Sequence, residues 1–404
     1  MKPIEGAPLP DFSSLLKVGD MEWFEGPLLS HYISSDKEDF VFYWADLGQN
    51  SGFERWIVIP TTEYLIDIYL DKRITLRDFM LKALGGIAYS VEIDKFSNYV
   101  NSFAFYIHAI DPDYLPEAGL YHDFESRNYS RTMYLSKKNE IGILELNITG
   151  DNIKRGVISL SQFNGILGKI ETLINKIASE YIENNLNIYY NENEINPATR
   201  NTLFNKSHFE VLATAPGSFK IYLKPISKQI QISGNHEFTD EFTSEFLNLL
   251  SSGIYNDINI FKHYDNSYKV DILSNYLNFA KYLTSSKVNI DFSWFNSNTK
   301  FRESKQITME NCNKIIQNVI AYKTRDSRKF TASGYFTSLN VKTGQFTFNL
   351  DDENAYKGRY VENDKSPLKQ IQFDKNYSAS LESIYDKNGD EKIILRGFDI
   401  YDSK

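Results

Sequence analysis

The residues of this chain able to do chemistry are six histidines, one cysteine and scattered carboxylates, and their spacing decides which chemistry is open to them. None of His31, His108, His122, His208, His236 and His263 is paired one helical turn apart, as a zinc-hydrolase helix requires. His108 precedes Asp111-Pro112-Asp113, and His122-Asp123 follows in the same stretch. An imidazole with nearby carboxylates at a strand end is a donor set for a divalent cation. His108, Asp111 and Asp113 are therefore the metal candidates. The plainer reading is that loop carboxylates cap turns.

Other catalytic templates fail on their own requirements. Cys312 sits in a mostly polar helical pattern with no neighbouring base to lower its pKa, which reads as an inert thiol. As the single cysteine, it excludes an intramolecular disulfide and a cysteine-based zinc site. There is no phosphate-binding G-x-x-x-x-G-K-[ST], and Gly85-Gly86 reads as a helix stop. Ser218 follows Pro216-Gly217 without the G-x-S-x-G of a hydrolase elbow. Asp386-Lys387-Asn388-Gly389-Asp390 imitates a calcium loop but places Glu391 and Gly397 where glycine and glutamate are needed. Glu92 to Lys95 is the nearest approach to a nuclease carboxylate–x–lysine, and its spacing departs from that motif. No cofactor is expected.

Basic and aromatic residues offer a different chemistry. Lys323, Arg325, Arg328 and Lys329 run into a segment holding Tyr335, Phe336, Phe346 and Phe348. Basic side chains neutralise phosphates and exposed aromatics stack on bases, so Lys323, Arg325, Arg328, Lys329 and Tyr335 are candidates for binding nucleic acid or a partner. The competing reading is a solvated linker followed by an ordinary aromatic core. Trp23, Trp44 and Trp56 carry the same ambiguity between core packing and a partner face.

The elements that must hold these residues follow from periodicity. A short helix is expected at Phe12 to Lys17. Apolar runs at Met21 to Ser34, Phe40 to Asp46 and Arg55 to Pro60, bounded by turn formers, read as an antiparallel meander. A helical pattern begins after Pro60, and a second helix opens at Thr75, whose spacing to Asp78 is that of a capping box. Ile87 to Ile93, Phe103 to Ile110 and Ile141 to Ile148 read as strands, with a loop over Asp111 to Arg131. A long helix runs from Leu160 to about Glu183, and Asn184 to Lys206 reads as a linker. Phe209 to Thr214 and Ser218 to Leu223 form a strand pair. Helices follow near Thr239 to Leu250, Ser267 to Leu283 and after Thr308, with a short strand at Val288 to Trp294.

Beyond Phe330 the pattern alternates. Five runs, Phe330 to Val341, Gln345 to Leu350, Ala355 to Val361, Tyr377 to Tyr385 and Lys392 to Ile400, predict a small SH3-like or OB-like β-barrel, with hairpin turns at Thr343-Gly344 and Asn388-Gly389. The fold class is α+β. Three domains are expected: an N-terminal α+β domain over 1–183 built on the antiparallel meander, a middle α+β unit over 207–322, and the five-stranded barrel over 328–404.

Composition narrows the function. The 404 residues are 42% hydrophobic and 24% charged, a globular balance. A net charge of -9 repels phosphate on average, so only a local basic patch would bind nucleic acid. No signal peptide and no stretch of membrane-spanning length is read, so no membrane partner and a cytoplasmic location are expected.

Three segments carry a resemblance: Phe53-Glu54-Arg55-Trp56-Ile57-Val58-Ile59-Pro60 leading to Ile74-Thr75-Leu76-Arg77-Asp78-Phe79; Ala215-Pro216-Gly217-Ser218-Phe219; and Gly334-Tyr335-Phe336-Thr337-Ser338-Leu339-Asn340. Together they resemble an uncharacterised bacterial domain-of-unknown-function family whose members often sit near mobile-element or antiviral-defence genes. The resemblance implies a protein partner encoded by a neighbouring gene, and it supplies no catalytic residue. The resulting expectation is a non-enzymatic binding, scaffold or sensor component, with a defence role as its setting. Its rivals are a metal-dependent nuclease or hydrolase with a degenerate motif, and a single-stranded nucleic-acid binder acting through the C-terminal barrel.

Overall fold

The computed structural model describes the chain except for residues 48–51, 123–124, 152, 154–156, 190–200, 202–203, 206, 216–218, 227–236, 266–271, 324–327, 351–353, 363, 374, 386–390 and 401–404. Among the described residues it is a mixed α+β protein with three sheets, largely antiparallel. No helix among the described residues is long and apolar enough to cross a membrane. The chain packs as two compact units assembled from separated stretches. One is Met1–Ser159 with Tyr181–Leu247 and Asn289–Gln306; the other is Leu160–Glu180 with Asn248–Val288 and Ile307–Lys404.

The first unit opens with a seven-stranded sheet. Its strands are β1 (Leu16–Trp23), β2 (Pro27–Ile33), β3 (Asp39–Leu47), β4 (Phe53–Thr61), β5 (Ile87–Asp94), β6 (Tyr99–Tyr106) and β7 (Glu125–Arg127), in the order β6-β5-β4-β3-β2-β1-β7. The expected meander is present, with two corrections. The apolar run from Met21 to Ser34 is two strands, because Glu25 takes a left-handed φ of 54° and the Phe24 N–H donates to the Gly26 carbonyl at 2.9 Å. The helix expected at Phe12 to Lys17 is a single 3₁₀ turn, Phe12–Ser14, capped by Asp11, and β1 already begins at Leu16.

Both faces of the central strands are covered, which explains their unbroken apolar sequence. Val41, Ile57 and Ile59 face α1 (Glu63–Leu70) and α2 (Leu76–Leu81) through Ile66, Tyr69, Phe79 and Met80. The alternate residues Phe40, Phe42, Trp56 and Val58 pack on the other face with Phe12 and Val91. Each fully buried aliphatic or aromatic side chain contributes about 1.5–3 kcal/mol. Trp56 and Trp44 are cross-strand partners at this second face, whereas Trp23 lies under the Arg127 guanidinium at 4.3 Å. As expected, α2 opens at Thr75, whose Oγ1 accepts from the Asp78 N–H at 3.1 Å.

The second sheet draws on strands far apart in sequence. After α3 (Arg131–Asn139) come β8 (Ile143–Gly150), α4 (Leu160–Tyr189), β9 (Phe209–Ala215), β10 (Phe219–Pro225), α5 (Phe238–Tyr255), α6 (Ile258–Asp265), α7 (Ile272–Ser286), β11 (Val288–Phe295), β12 (Arg302–Ile307) and α8 (Met309–Lys323). The sheet order is β12-β11-β8-β10-β9. Within the first unit α3 lies against both sheets: Tyr134 and Leu135 pack with Val18 and Ile33 of the first and Ile143 and Tyr222 of the second.

In the second unit the apolar stripe of α4 is buried at Ile166, Ile170, Leu173, Ile174 and Ile177. Gly165 leaves room for the Tyr282 ring of α7; a Cβ there would overlap its hydroxyl. The last five strands are β13 (Arg328–Asn340), β14 (Gln345–Leu350), β15 (Ala355–Tyr360), β16 (Tyr377–Tyr385) and β17 (Glu391–Ile400). They close into a ring in the order β13-β14-β15-β17-β16, with β16 pairing back onto β13. The long β13 serves two neighbours: Arg328 to Gly334 pair with β16, and Gly334 to Asn340 pair with β14. Gly334 sits at the crossover, where any Cβ would strike the Asn349 carbonyl. β15 and β17 run parallel; the other pairs are antiparallel. Phe336, Phe346, Phe348, Tyr377, Leu381 and Leu395 fill the ring, and Leu368 from the 3₁₀ turn Pro367–Gln370 joins them.

Candidate functional site

The outward face of β13, β14 and β15 is polar and cationic. Strand pleating puts alternate residues on one face. Because Phe336, Phe346 and Phe348 point into the core, their neighbours point out. Register then sets three rows across the strands: Tyr335, Asn349 and Ala355; Ser338, Thr347 and Lys357; Asn340, Gln345 and Arg359. Tyr335 is 38% exposed, and Lys357 and Arg359 are exposed. The β13–β14 turn adds to the charge. Gly344 takes a φ of 79° there, as the hairpin signal required. The Arg359 Nε donates to the Thr343 carbonyl at 2.9 Å and the Lys365 Nζ donates to the Lys342 carbonyl at 2.7 Å. Lys342, Arg359 and Lys365 are thereby gathered around one turn, and Lys357 stands two residues back along β15. None of β13, β14 and β15 contains a carboxylate; Asp351, Asp352 and Glu353, which join β14 to β15, lie outside the described residues. On β17, the neighbour of β15, Arg396 is held by Glu382 at 2.6 Å and Glu362 at 3.3 Å.

Of the basic and aromatic residues singled out in the sequence, the structure brings only some to this face. Tyr335 is on it. Lys329 is exposed at the start of β13, with Glu382 as its cross-strand partner. Arg328 is in register with Ser383, and Arg325 lies outside the described residues. Lys323 is 4% exposed and its ammonium bonds the Ser274 hydroxyl inside the second unit, so it does not extend the basic run. Phe336, Phe346 and Phe348 are core. Lys342, Lys357 and Arg359 were missed. Their signal was the i, i+2 spacing of Lys357 and Arg359 on an alternating run, within strands free of acidic residues.

The metal candidates are not assembled. His108 is exposed in a 3₁₀ turn and stacks on Tyr106 at 5.5 Å. Asp111 caps the next turn, accepting from the Asp113 N–H at 3.2 Å. No group of three His, Cys, Asp or Glu side chains among the described residues is placed to hold a metal ion. Burial pushes the Cys312 thiol up to about 12, which keeps it protonated.

A second concentration of charge lies in the first unit. His31 Nε2 meets Asp39 Oδ1 at 3.1 Å, and Asp39 Oδ2 accepts from Lys138 at 2.8 Å and from the Tyr134 hydroxyl at 3.0 Å. Glu63 continues the chain to Arg131, which also reaches Asp67 at 3.1 Å. Arg131 and Lys138 both lie over the Tyr134 ring, at 4.9 and 5.1 Å. Burial lowers the His31 pKa, against the pull of Asp39, and so holds the imidazole neutral. Set against protein-family models, curated proteins and solved structures, the chain matches none of them.

Proposed function

We propose that the protein is a binding component whose C-terminal ring is an OB-type rather than an SH3-like barrel and holds single-stranded nucleic acid across β13, β14 and β15. The strand order supports the barrel type: first, second, third, fifth, fourth, then back to the first, with the third and fifth parallel. Barrels of this type bind oligonucleotides or oligosaccharides across their second and third strands and the loop between the first two. In this chain those parts are β14, β15 and the turn at Lys342 to Gly344.

One observation carries the choice of ligand: in a chain of net charge -9, these three strands and their first turn hold only basic charge. Local charge, not the total, sets the potential a strand of phosphates meets. Four cations spaced along the face neutralise phosphates, and Tyr335 offers a plane for one base. The surrounding Ser, Thr, Asn and Gln side chains are short hydrogen-bonding groups without strong sequence preference. This reading fits the sensor or scaffold role expected from the sequence and asks for no bond-making step.

The test is fluorescence anisotropy with a labelled single-stranded oligothymidylate, titrated at several salt concentrations. Three or four neutralised phosphates give a log–log salt slope of about -2 to -3. Lys357→Glu combined with Arg359→Glu is expected to abolish binding at moderate salt. Absence of binding at low salt, or equal affinity in the charge-reversed protein, rejects the reading.

A further inference from the structure

The first unit contains a cleft of about 290 Å³ whose wall mixes both signs of charge. Asp67 and Asp71 stand one helical turn apart at the end of α1, Arg131 opens α3, Glu145 is on β8, and Lys220 and Tyr222 are on β10. Two features of this wall are costly unless something binds there. The first is a set of donors without acceptors. Tyr222 is 1% exposed and packs among Val18, Ile33 and Tyr134, yet its hydroxyl has no hydrogen-bond partner among the described residues. Arg131 spends Nη2 on Glu63 and Asp67, while its Nη1 is enclosed and bonds nothing among the described residues. The enclosed Arg131 Nη1, left unmade, forfeits its hydration without return, and the Tyr222 hydroxyl is a free donor at the cleft wall.

The second feature is negative charge in the wrong place. Asp67 and Asp71 share a helix face, where like charges four residues apart repel. Asp71 also caps the C-terminal end of α1, whose partial negative charge disfavours a carboxylate. Burial pushes Asp67 up to about 6, and Asp71, which meets Arg73 only at 3.5 Å, is raised by the same cause. Lys220 approaches Glu145 only at 3.6 Å.

An anion would meet the unspent donors but face three carboxylates. A simple cation would relieve the carboxylates and leave Tyr222 and Arg131 unpaired. We propose that this cleft binds a small zwitterion of the free α-amino acid class, its ammonium toward Asp67 and Asp71 and its carboxylate toward Arg131, Tyr222 and Lys220. The site is separate from the ring face and stands or falls independently of it.

Isothermal calorimetry of the full chain against each of the standard free α-amino acids, at millimolar concentration, tests this. At least one is expected to bind saturably. Tyr222→Phe, which removes a hydroxyl that bonds nothing and leaves the fold intact, is expected to weaken that binding about tenfold. Asp71→Asn is expected to weaken it similarly, and the des-amino acid of the same side chain to bind at least tenfold less well. The ring variant Lys357→Glu/Arg359→Glu is expected to bind the amino acid unchanged. The proposal is overturned if no amino acid binds, if both cleft variants keep the parent affinity, or if the des-amino acid binds equally well.

Discussion

His31 and Asp39 face each other at 3.1 Å with the imidazole wholly out of solvent. The other ring nitrogen, Nδ1, is 3.4 Å from the Tyr129 hydroxyl, so a neutral ring that donates from Nε2 and accepts at Nδ1 satisfies both contacts. Burial depresses the imidazole pKa below its ordinary value of 6.5.

The sign of the linked pH effect follows. Below pH 6.5 the unfolded chain takes up a proton at this position that the folded one refuses, so stability is lost as pH falls. Each pH unit below 6.5 costs up to about 1.4 kcal/mol while the folded ring stays neutral. His31→Gln is expected to be less stable at pH 8, having lost buried hydrogen bonds, but to show a shallower decline from pH 6.5 to 5. Urea unfolding at several pH values measures both slopes; parallel curves contradict the account.

Asp67 acts in the opposite direction. Its folded pKa is near 6, raised by burial from an ordinary 3.8. Below pH 3.8 the group is neutral in both states and costs nothing. Between 3.8 and 6 the folded chain holds the proton that the unfolded chain releases, so stability falls as pH rises, by up to about 3 kcal/mol in all. Asp67→Asn removes this cost and leaves Arg131 with Glu63. The stability of the variant relative to the parent is therefore expected to climb from pH 4 to pH 7 and then level off. A difference that does not change with pH shows that burial is not what the carboxylate experiences.

Tyr222 gives a test of the cleft that needs no ligand. The Tyr222 hydroxyl opens on the cleft and bonds no described residue, so Tyr222→Phe is expected to change the stability of the unliganded protein by less than about 0.5 kcal/mol. Tyrosine-to-phenylalanine changes at bonded hydroxyls lose stability instead. Tyr276, whose hydroxyl donates to the Leu250 carbonyl at 2.9 Å, serves as the internal comparison. Tyr276→Phe is expected to lose about 1 kcal/mol. Equal losses in both variants count against an unspent donor in the cleft.

What could be read from the sequence was what is local. The ring strands were recognised because each alternates over a short run and Thr343-Gly344 marks its turn. The start of α2 was recognised because Thr75 and Asp78 act within one turn of chain; its end at Leu81 falls before the Gly85-Gly86 pair, which lies in a separate 3₁₀ turn. The break within Met21 to Ser34 went unread because both faces of those strands are buried, so no alternation exposes the turn at Glu25. The place of β8 between β11 and β10 depends on pairing across about 70 residues to β10 and more than a hundred to β11, and no local signal encodes it. The same limit governs the sites. Lys323 reads as part of a basic run until the fold shows its ammonium on Ser274. The convergence of Asp67, Arg131 and Tyr222 exists only once α1, α3 and β10 are brought together.

Gly142 tests that long-range packing. A Cβ there would overlap the Trp294 indole. Trp294 of β11 is fully buried, and its Nε1 donates to Asp240 at 2.6 Å, so the ring has no room to retreat without breaking that bond. Gly142→Ala is expected to cost about 1–3 kcal/mol, with a change in tryptophan fluorescence. Gly168 of α4, where a Cβ meets nothing, is the control: Gly168→Ala is expected to gain up to about 1 kcal/mol from helix propensity. Equal effects at the two positions are inconsistent with this arrangement.

On the ring, Tyr335 and Lys357 separate stacking from charge. A base stacked on Tyr335 contributes about 1–3 kcal/mol whatever the salt concentration. Tyr335→Ala is therefore expected to weaken binding of single-stranded oligothymidylate about 5- to 100-fold with the salt slope unchanged. Lys357→Ala removes one phosphate contact, so its slope is expected to become shallower by about 0.7. Anisotropy titrations across a salt series read both quantities from one experiment. If Tyr335→Ala changes only the slope, or Lys357→Ala leaves the slope intact, the ligand does not lie across the strands in the register that joins Tyr335 to Asn349 and Lys357 to Thr347.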